Sequence, residues 1–315
     1  MKKVLIIRFS ALGDVAMLAP IVRIAAETYP DVSFTMLSQQ RFADIFAGMP
    51  SNVVFHGVDL KKQTLHEIVQ ELGSFDYVAD MHGVLRSIYI RTVYRYKGAS
   101  VASISKGRWD KIRLTHGWSR RQLNHTTERY ATVFANICHP ILLKQNPDKT
   151  SIKPRQGIGI APFAAHKGKI YPIERMEQVV EKLSEKGEHI VLFGGKGKEQ
   201  ATLAHWAEKY PGVESIAGQK TLREELEIMS SLRVMLTMDS GNMHLASLVG
   251  TRVVSIWGAS HPFAGFLGIG QKEADCIQRE LACRPCSIYG EKKCKYGDYR
   301  CMDISPEEIV KKLTE

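Results

Sequence analysis

The chain has 315 residues, of which 44% are hydrophobic and 24% charged, and it carries a net charge of +10. This composition is ordinary for a globular protein and excludes collagen-like, coiled-coil and disordered classes. No apolar run reaches the ~20 residues of a membrane-spanning helix, and the N-terminal apolar stretch is shorter than a signal-peptide core. We therefore expect a cytoplasmic protein, whose positive charge fits either a solubility surplus or an anionic partner.

Apolar strand-like runs alternate with helix-like segments along both halves of the chain. In the first half the predicted elements are, in order, strand Val4–Ile7, helix Val15–Thr28, strand Val32–Leu37, helix Arg41–Ala47, strand Val53–Val58, helix Thr64–Leu72 and strand Tyr77–Ala79. In the second half they run from strand Gly157–Ala161 to strand Val253–Trp257, followed by a capped helix at Ser305–Leu313. This alternation predicts an α/β fold with doubly wound parallel sheets.

A polar stretch with two prolines, residues 144–156, separates the two halves. Such a stretch is typical of an interdomain linker, and it predicts one domain at 1–150 and a second at 151–315 with a cysteine-rich tail and a terminal helix. Ligands of open parallel sheets bind beyond the carboxyl ends of the strands. The candidate site residues are therefore those that directly follow a strand.

Two strand ends in the first half carry polar or charged side chains that could take part in binding or catalysis. After the first strand, Gly13 permits a tight turn, and Asp14 is either a helix cap or a carboxylate placed as a general base. After the fourth strand come Asp80, His82 and Arg86. They are either a capped loop with a solvated arginine or part of a polar binding site.

The second half has a sharper signal at Asp239–Gly241, where a strand ends and a helix begins at once. Free N–H groups and the positive end of the helix dipole favour an anion there, and His244 lies on the first helical turn. The alternative is an Asp239 cap and a structural histidine. The loop 161–172, with Lys169, could hold a phosphate, whereas the glycine-rich turn at 194–197 is weak evidence alone.

Four of the six cysteines cluster near the C-terminus: Cys283, Cys286, Cys294 and Cys301. Their spacing is compatible with a tetrahedral zinc site, a local disulfide or reduced thiols that pack in the interior. Nothing in the pattern is typical of a catalytic site.

Taken together and in order, five motifs resemble glycosyltransferase family 9, the ADP-heptose:lipopolysaccharide heptosyltransferases. They are Ser10–Asp14, Asp80-x-His-x-x-x-Arg-Ser, Lys169-x-Tyr-Pro, Gly194–Glu199 and Asp239-Ser-Gly-x-Met-His. The cysteine-rich tail and the final helix are similar as well, so the resemblance covers essentially the whole chain.

The resemblance implies a GT-B fold, with two Rossmann-like domains facing each other across a cleft. It also implies inverting transfer of heptose from ADP-L-glycero-β-D-manno-heptose to the lipopolysaccharide inner core, with no metal or other cofactor. The acceptor would be a lipid-linked anionic sugar at the inner membrane surface. Asp14 would be the base, and the donor would be bound by Lys169, Asp239, Ser240, Gly241, His244 and, at the ribose, Glu214. The acceptor would be bound by Ser10, Gly13, Asp80, His82 and Arg86.

The chain departs from the family pattern at four positions. Ala164 and Ala165 stand where some members carry hydroxyl residues, His82 replaces a usual glutamine, and Tyr171 replaces a common tryptophan. Ala164 and Ala165 keep open a family 9 transferase that uses another nucleotide sugar or acceptor. A GT-B-like nucleotide-sugar epimerase, which shares two Rossmann-like domains, is a more distant alternative, because it should carry further carboxylates in the cleft. A non-catalytic nucleic-acid binder is a distant alternative, because it leaves Asp14 and Asp239 unexplained.

Overall fold

The structure, a computed structural model, describes residues 1–143 and 155–315. They form two units: Met1–Gly107 with 124–143, and Arg108–Leu123 with 155–315. The boundary predicted after residue 150, and all but the last two residues of the predicted linker, lie outside the described residues. The stretch Arg108–Leu123, expected in the first domain, belongs to the second unit because its Leu114 is buried there with Ala264 and Ile288.

The first unit is built on a five-stranded parallel sheet with the strand order β3-β2-β1-β4-β5. The strands are β1 (Lys2–Ile7), β2 (Val32–Gln39), β3 (Val53–Val58), β4 (Tyr77–Asp80) and β5 (Ser100–Ser103). Val4 to Ile7 are completely buried. A strand covered by helices on both faces reads as a continuous apolar run, which is why the sequence predicted the central strand well.

Four helices cover this sheet, and a fifth belongs to the second unit. Those of the first unit are α1 (Leu12–Thr28), α2 (Leu65–Leu72), α3 (Leu85–Tyr96) and α5 (Thr126–Asn136), whereas α4 (Arg108–Thr115) lies in the second. The helix predicted at Arg41–Ala47 is instead a 3₁₀ helix of seven residues at Gln40–Phe46.

The second unit has a six-stranded parallel sheet with the order β11-β10-β9-β6-β7-β8. Its strands are β6 (Ile158–Ala161), β7 (Ile190–Leu192), β8 (Val213–Ser215), β9 (Val234–Met238), β10 (Arg252–Trp257) and β11 (Cys276–Gln278). The remaining helices are α6 (Ile173–Glu185), α7 (Lys198–Lys209), α8 (Leu222–Ser231), α9 (Gly241–Leu248) and α10 (Pro306–Thr314). Among the described residues, no helix combines the length and apolar character that crossing a membrane requires.

Both sheets follow the doubly wound Rossmann pattern, which confirms the predicted fold class. In each, the strand order reverses beside the first strand: between β1 and β4 in one unit, and between β6 and β9 in the other. Loops that leave neighbouring strands in opposite directions open a crevice at this point, where such sheets bind ligands. The residues that follow these four strands are therefore the ones to examine.

Candidate active site

At the switch point of the first unit, Asp14 is paired with a buried arginine. Arg8 directly follows β1, and its Nη2 lies 2.6 Å from Oδ2 of Asp14 in the first turn of α1. The Arg8 guanidinium also donates to the Met81 carbonyl at 2.5 Å, after β4. Because both strand ends hold the arginine, the position of the Asp14 carboxylate is fixed from outside its own helix.

The two oxygens of Asp14 have different surroundings. Oδ2 accepts from Arg8 and, at 3.3 Å, from the backbone N–H of Ala11. Among the described residues, Oδ1 has no hydrogen-bond partner, and the side chain is 28% exposed. With one oxygen the carboxylate accepts from the N-cap residue Ala11, so Asp14 contributes to the helix N-terminus from inside the first turn and is not the N-cap that the cap alternative predicted. The other oxygen is left available to a substrate hydroxyl.

His82 lies beside the same loop in a neutral state. Burial, reinforced by the nearby Arg8 charge, lowers the pKa of His82 to about 4. The N–H of Phe9 points at Nδ1 over a long 3.5 Å, and Nε2 lies 3.4 Å from the Ser10 hydroxyl. If Nδ1 accepts, the proton is on Nε2 and the imidazole donates toward Ser10. The structure therefore brings the predicted Ser10, Asp14 and His82 into one neighbourhood.

Asp80 holds the loop that contains His82 through side-chain hydrogen bonds. Its side chain is completely buried, and Oδ1 accepts from the N–H groups of His82 at 2.9 Å and Gly83 at 2.8 Å. Oδ2 pairs with Arg91 of α3 at 3.2 Å. A fully enclosed carboxylate cannot touch a sugar, so a role for Asp80 is to position His82. Arg86 is exposed on α3 and makes no ion pair with Asp80. Arg91 of the same helix makes that ion pair instead.

At the switch point of the second unit, Lys169 and Asp239 form a nearly buried ion pair. Lys169 Nζ lies 2.8 Å from Asp239 Oδ2, and the side chains are 12% and 4% exposed. The same carboxylate oxygen accepts from the Ser260 hydroxyl at 2.6 Å. Lys169 comes from the loop after β6 and Asp239 from the end of β9, the two neighbouring strands where the order reverses.

Close backbone packing places the lysine loop. The Gly168 N–H donates to the Gly290 carbonyl at 3.3 Å, and the Ala259 N–H donates to the Gly168 carbonyl at 2.8 Å. A Cβ on Gly168 would lie 2.8 Å from that Gly290 oxygen, and one on Gly290 would lie 2.6 Å from Lys169 Cγ. The cysteine-rich tail therefore supports the stem of Lys169.

The N-terminus of α9 stands next to this pair. Ser240 precedes the helix in extended conformation, makes no side-chain cap, and its buried hydroxyl has no hydrogen-bond partner among the described residues. The first N–H groups of a helix also lack internal partners. An anion at Gly241 would satisfy these donors together. His244, on the first turn, is buried.

Two acidic residues of the second unit, Glu214 and Glu225, differ in their surroundings. The predicted Glu214 is more than half exposed on the edge strand β8, where Oε1 lies 3.4 Å from His189. Glu225, in the first turn of α8, was not singled out from the sequence. Burial raises its pKa to about 7, and among the described residues it has no hydrogen-bond partner. A desolvated carboxylate of this kind needs a partner such as a hydroxyl pair.

The glycine-rich turn and the cysteine-rich tail are held by close packing and hydrogen bonds. Gly195 N–H donates to Glu199 at 2.7 Å, and a Cβ on Gly194 would strike Leu203. All six cysteines are free thiols. Among residues 1–143 and 155–315, no group of three or more His, Cys, Asp or Glu side chains is arranged to hold a metal. The buried Arg284 pins the tail by donating to the Trp257 and Ser260 carbonyls, each at 3.0 Å.

Four residues that position the predicted site were missed by sequence reasoning: Arg8, Arg91, Ser260 and Gly290. Arg8 had a usable signal, since it is a charged residue directly at the end of a buried strand. Ser260 and Gly290 contribute through contacts with residues far along the chain, and Arg91 through a contact made only when α3 packs beside β4, so no local sequence pattern predicts them.

Two Rossmann-type units, each with its polar groups at the switch point, define the chain as a protein of the GT-B fold class. More narrowly, it belongs to glycosyltransferase family 9 (heptosyltransferase), whose model matches residues 69–298. The chain is thus a glycosyltransferase, and the family predicted from its motifs is confirmed.

Individual relatives are similar to this chain along nearly its full length. Lipopolysaccharide heptosyltransferase 1 of Pseudomonas aeruginosa is 24% identical to this chain. The alignment covers 97% of this chain and 92% of the relative. The E. coli ADP-heptose lps heptosyltransferase II shares the fold with a TM-score of 0.69 at 18% identity, over 100% and 98% of the two chains. E. coli heptosyltransferase WaaC with ADP-2-deoxy-2-fluoro heptose gives 0.67 at 18%, over 91% and 97%.

Proposed function

We propose that the chain transfers heptose from ADP-L-glycero-β-D-manno-heptose to the lipopolysaccharide inner core with inversion at the anomeric carbon. The family and the relatives support heptosyl transfer in lipopolysaccharide biosynthesis. The single observation that carries the donor assignment is the N-terminus of α9, where the Ser240 hydroxyl lacks a partner beside Lys169 and Asp239. That arrangement suits the diphosphate of a nucleotide sugar.

The diphosphate is held by three kinds of donor in this proposal. The N–H groups at Gly241 and the helix dipole meet one phosphate, and the Ser240 hydroxyl gains the partner that it lacks. Lys169 keeps Asp239 on one side and donates to the phosphates with its remaining protons. Asp239 and His244 then order this lysine and the first helical turn, while Glu214 or Glu225 takes the ribose hydroxyls.

The chemical step needs one base and one stabilised leaving group. Asp14 Oδ1 accepts the proton of the acceptor hydroxyl, whose oxygen forms the new bond to the anomeric carbon. The bond from that carbon to the phosphate oxygen breaks, and its electron pair leaves with ADP. Arg8 holds the other oxygen of Asp14, so the carboxylate does not have to reorganise as the proton arrives. Positioned bases of this kind contribute about 10²–10⁴-fold to rate.

The acceptor in this proposal is a lipid-linked anionic sugar at the cytoplasmic face of the inner membrane, and no nucleic acid is involved. Ser10, Gly13 and neutral His82 provide a turn and uncharged donors for sugar hydroxyls. Asp80 acts behind them by holding the His82 loop. The exposed guanidinium of Arg86 remains available for a carboxylate or phosphate on the acceptor.

A second candidate is the same transfer with another sugar on the nucleotide. Ala164 and Ala165 favour it, because two hydroxyl donors found in some family members are absent beside the lysine loop. The part of the site that binds the diphosphate would be unchanged. The two candidates therefore differ in the sugar and not in the base or the leaving group.

The decisive experiment is a product assay with a donor panel. Purified protein is given ADP-heptose, ADP-glucose or UDP-glucose together with heptose-free inner core, and the product is analysed by mass spectrometry and by NMR of the new linkage. We expect transfer from ADP-heptose with inverted anomeric configuration. Transfer only from another donor would favour the second candidate, and release of free sugar or epimer without transfer would overturn both.

A further inference from the structure

Residues 108–123, which we call the basic aromatic segment, have an unusual composition for an exposed stretch. They contain five Arg and Lys residues against a single Asp, together with two of the four tryptophans of the chain. Trp109 and Trp118 are 76% and 72% exposed, whereas Trp206 and Trp257 are buried in the core. Exposed tryptophans are costly in water, and a pair among cations indicates a contact surface.

One face of the segment is firmly attached to the second unit, so its exposure is not that of a loose loop. Leu114 of α4 is 2% exposed and packs with Ala264 and Ile288. The Leu123 N–H donates to the Phe263 carbonyl at 2.8 Å. The segment is therefore held at its middle by Leu114 and at its C-terminal end by Leu123, while Trp109 and Trp118 remain exposed.

The exposed face combines apolar and basic side chains. Trp109, Ile112 and Arg113 are spaced three and four residues apart and share a face of α4. After the helix, the Trp118 N–H donates to the Arg113 carbonyl at 2.9 Å, which folds the chain back, and the ring lies 5.1 Å from that of His116. The two tryptophans are thus displayed on one short, folded-back element.

The arginines of this segment are not neutralised by the protein. Arg108, Arg113, Arg120 and Arg121 make no ion pair with any carboxylate in the described part of the chain, whereas elsewhere surface cations such as Lys182 and Lys209 do. Four exposed cations without counter-charges, in a segment that also exposes two tryptophans, match an anionic surface with an apolar boundary layer. A phospholipid leaflet has this pair of properties.

We propose that the basic aromatic segment docks the protein on an anionic phospholipid membrane. The arginines contact lipid phosphates while Trp109 and Trp118 enter the headgroup region, where their amphipathic rings are stabilised. The physiological role of this docking rests on the proposed function: a lipid-linked acceptor stays in the bilayer, so the enzyme has to reach it there. The docking itself requires neither donor nor acceptor and can be measured without them.

The test uses vesicles of phosphatidylcholine alone and of phosphatidylcholine with phosphatidylglycerol. We expect co-sedimentation only with the anionic vesicles, weakened by salt, and a blue shift of tryptophan emission that brominated lipid quenches. Since two tryptophans are buried, this optical signal reports Trp109 and Trp118, and the double variant Trp109→Ala/Trp118→Ala should bind more weakly and lose it. Equal binding to neutral vesicles, or none to either, would overturn the proposal.

A charge-matched pair of variants separates this surface from general positive charge. Arg120→Glu/Arg121→Glu should reduce vesicle partitioning by more than tenfold, since each cation near the surface contributes about fivefold. Lys61→Glu/Lys62→Glu, an exposed pair in the first unit, changes net charge equally and should have a much smaller effect. Equal losses in both variants would contradict the assignment, and melting temperatures check that each variant is folded.

Two competitors distinguish other anionic partners. Inorganic phosphate at millimolar concentration should not release the protein, because it offers no apolar layer for the tryptophans; release would identify a free anion site. A short single-stranded RNA should bind less tightly than the anionic vesicles, and tighter RNA binding would overturn the membrane assignment.

If vesicle docking succeeds while heptosyl transfer fails, the proposed function is wrong and the assignment of the docking surface stands.

Discussion

Asp14 combines a structural and a proposed chemical role in one carboxylate. Asp14→Asn keeps the size and the hydrogen bond from Ala11 but removes the basic oxygen. We predict that turnover falls by about 100-fold or more while ADP affinity is unchanged, because the base acts on the acceptor and not on the nucleotide. Steady-state rates and calorimetry with ADP check this. Glu27→Gln, at the exposed end of the same helix, is the control, and near-normal turnover of the Asn variant would leave Asp14 as a cap.

Lys169 is tested through the nucleotide. Lys169→Ala should weaken ADP binding by about 1–3 kcal/mol, the range of a charge-assisted hydrogen bond. It also leaves the buried Asp239 without its cation, so the melting temperature should fall, and calorimetry must be done well below it. The exposed neighbour Lys167 provides the matched control. Equal losses of ADP affinity in Lys167→Ala and Lys169→Ala would remove the special role of Lys169.

Glu225 predicts a pH dependence of stability. Its pKa in the folded protein, about 7, is above the ordinary value of 4.5, so the folded state holds a proton that the unfolded state releases between these pH values. Stability contributed by this group therefore falls as pH rises from 4.5 to 7. Glu225→Gln should flatten the melting-temperature profile across that window, whereas exposed Glu214→Gln should not. ADP affinity of the same two variants decides which acid contacts the ribose.

At the scale of elements, the tail segment around Gly290 and the lysine loop form one supporting contact. Gly290→Ala places a methyl group 2.6 Å from Lys169 Cγ and also strains a backbone with φ +78°. We predict lower ADP affinity as well as lower stability. Gly297→Ala has the same backbone strain at φ +79° but meets nothing within 4 Å. ADP affinity lowered equally in both variants would show that strain, and not displacement of Lys169, is responsible.

The sequence predicted the central strands and most helices of both sheets, because buried parallel strands and capped helices have local patterns. The helix predicted at Thr64–Leu72, for example, is α2 at Leu65–Leu72. The sequence did not predict α3 or β5: α3 is rich in Arg and Tyr, and the four residues of β5 alternate poorly at the sheet edge. The attachment of residues 108–123 to the second unit depends on contacts with residues 263–288, which no local window contains.

On the scale of the whole molecule, the two units use the same strand order for different tasks in our proposal. One switch point holds a carboxylate whose second oxygen is open, and the other holds a lysine at a helix N-terminus. The sequence identified both strand ends because each carries charged residues directly after an apolar run. It could not identify the pairings Arg8–Asp14 and Asp239–Ser260, which form only when distant strands become neighbours.

The leaving group in our proposal is stabilised by protein groups alone, which predicts metal-independent activity of the whole enzyme. Initial rates of transfer should be unchanged by EDTA, because Lys169 and the α9 N-terminus meet the diphosphate charge. Loss of activity that Mg²⁺ or Mn²⁺ restores would contradict this. A slow loss of stability that Zn²⁺ restores would instead assign metal to the four cysteines of the tail, and the melting temperature separates the two outcomes.

The ion pair between Lys169 and Asp239 has a consequence for the end of the catalytic cycle. A lysine that already has a carboxylate partner does not wait as a bare charge, so an arriving nucleotide shares it with Asp239 and gains less than from an isolated cation. When the sugar has gone, the same carboxylate at 2.8 Å competes with ADP for the ammonium group. In our proposal, Asp239 therefore competes with the product ADP for Lys169, which favours release and limits inhibition as ADP accumulates.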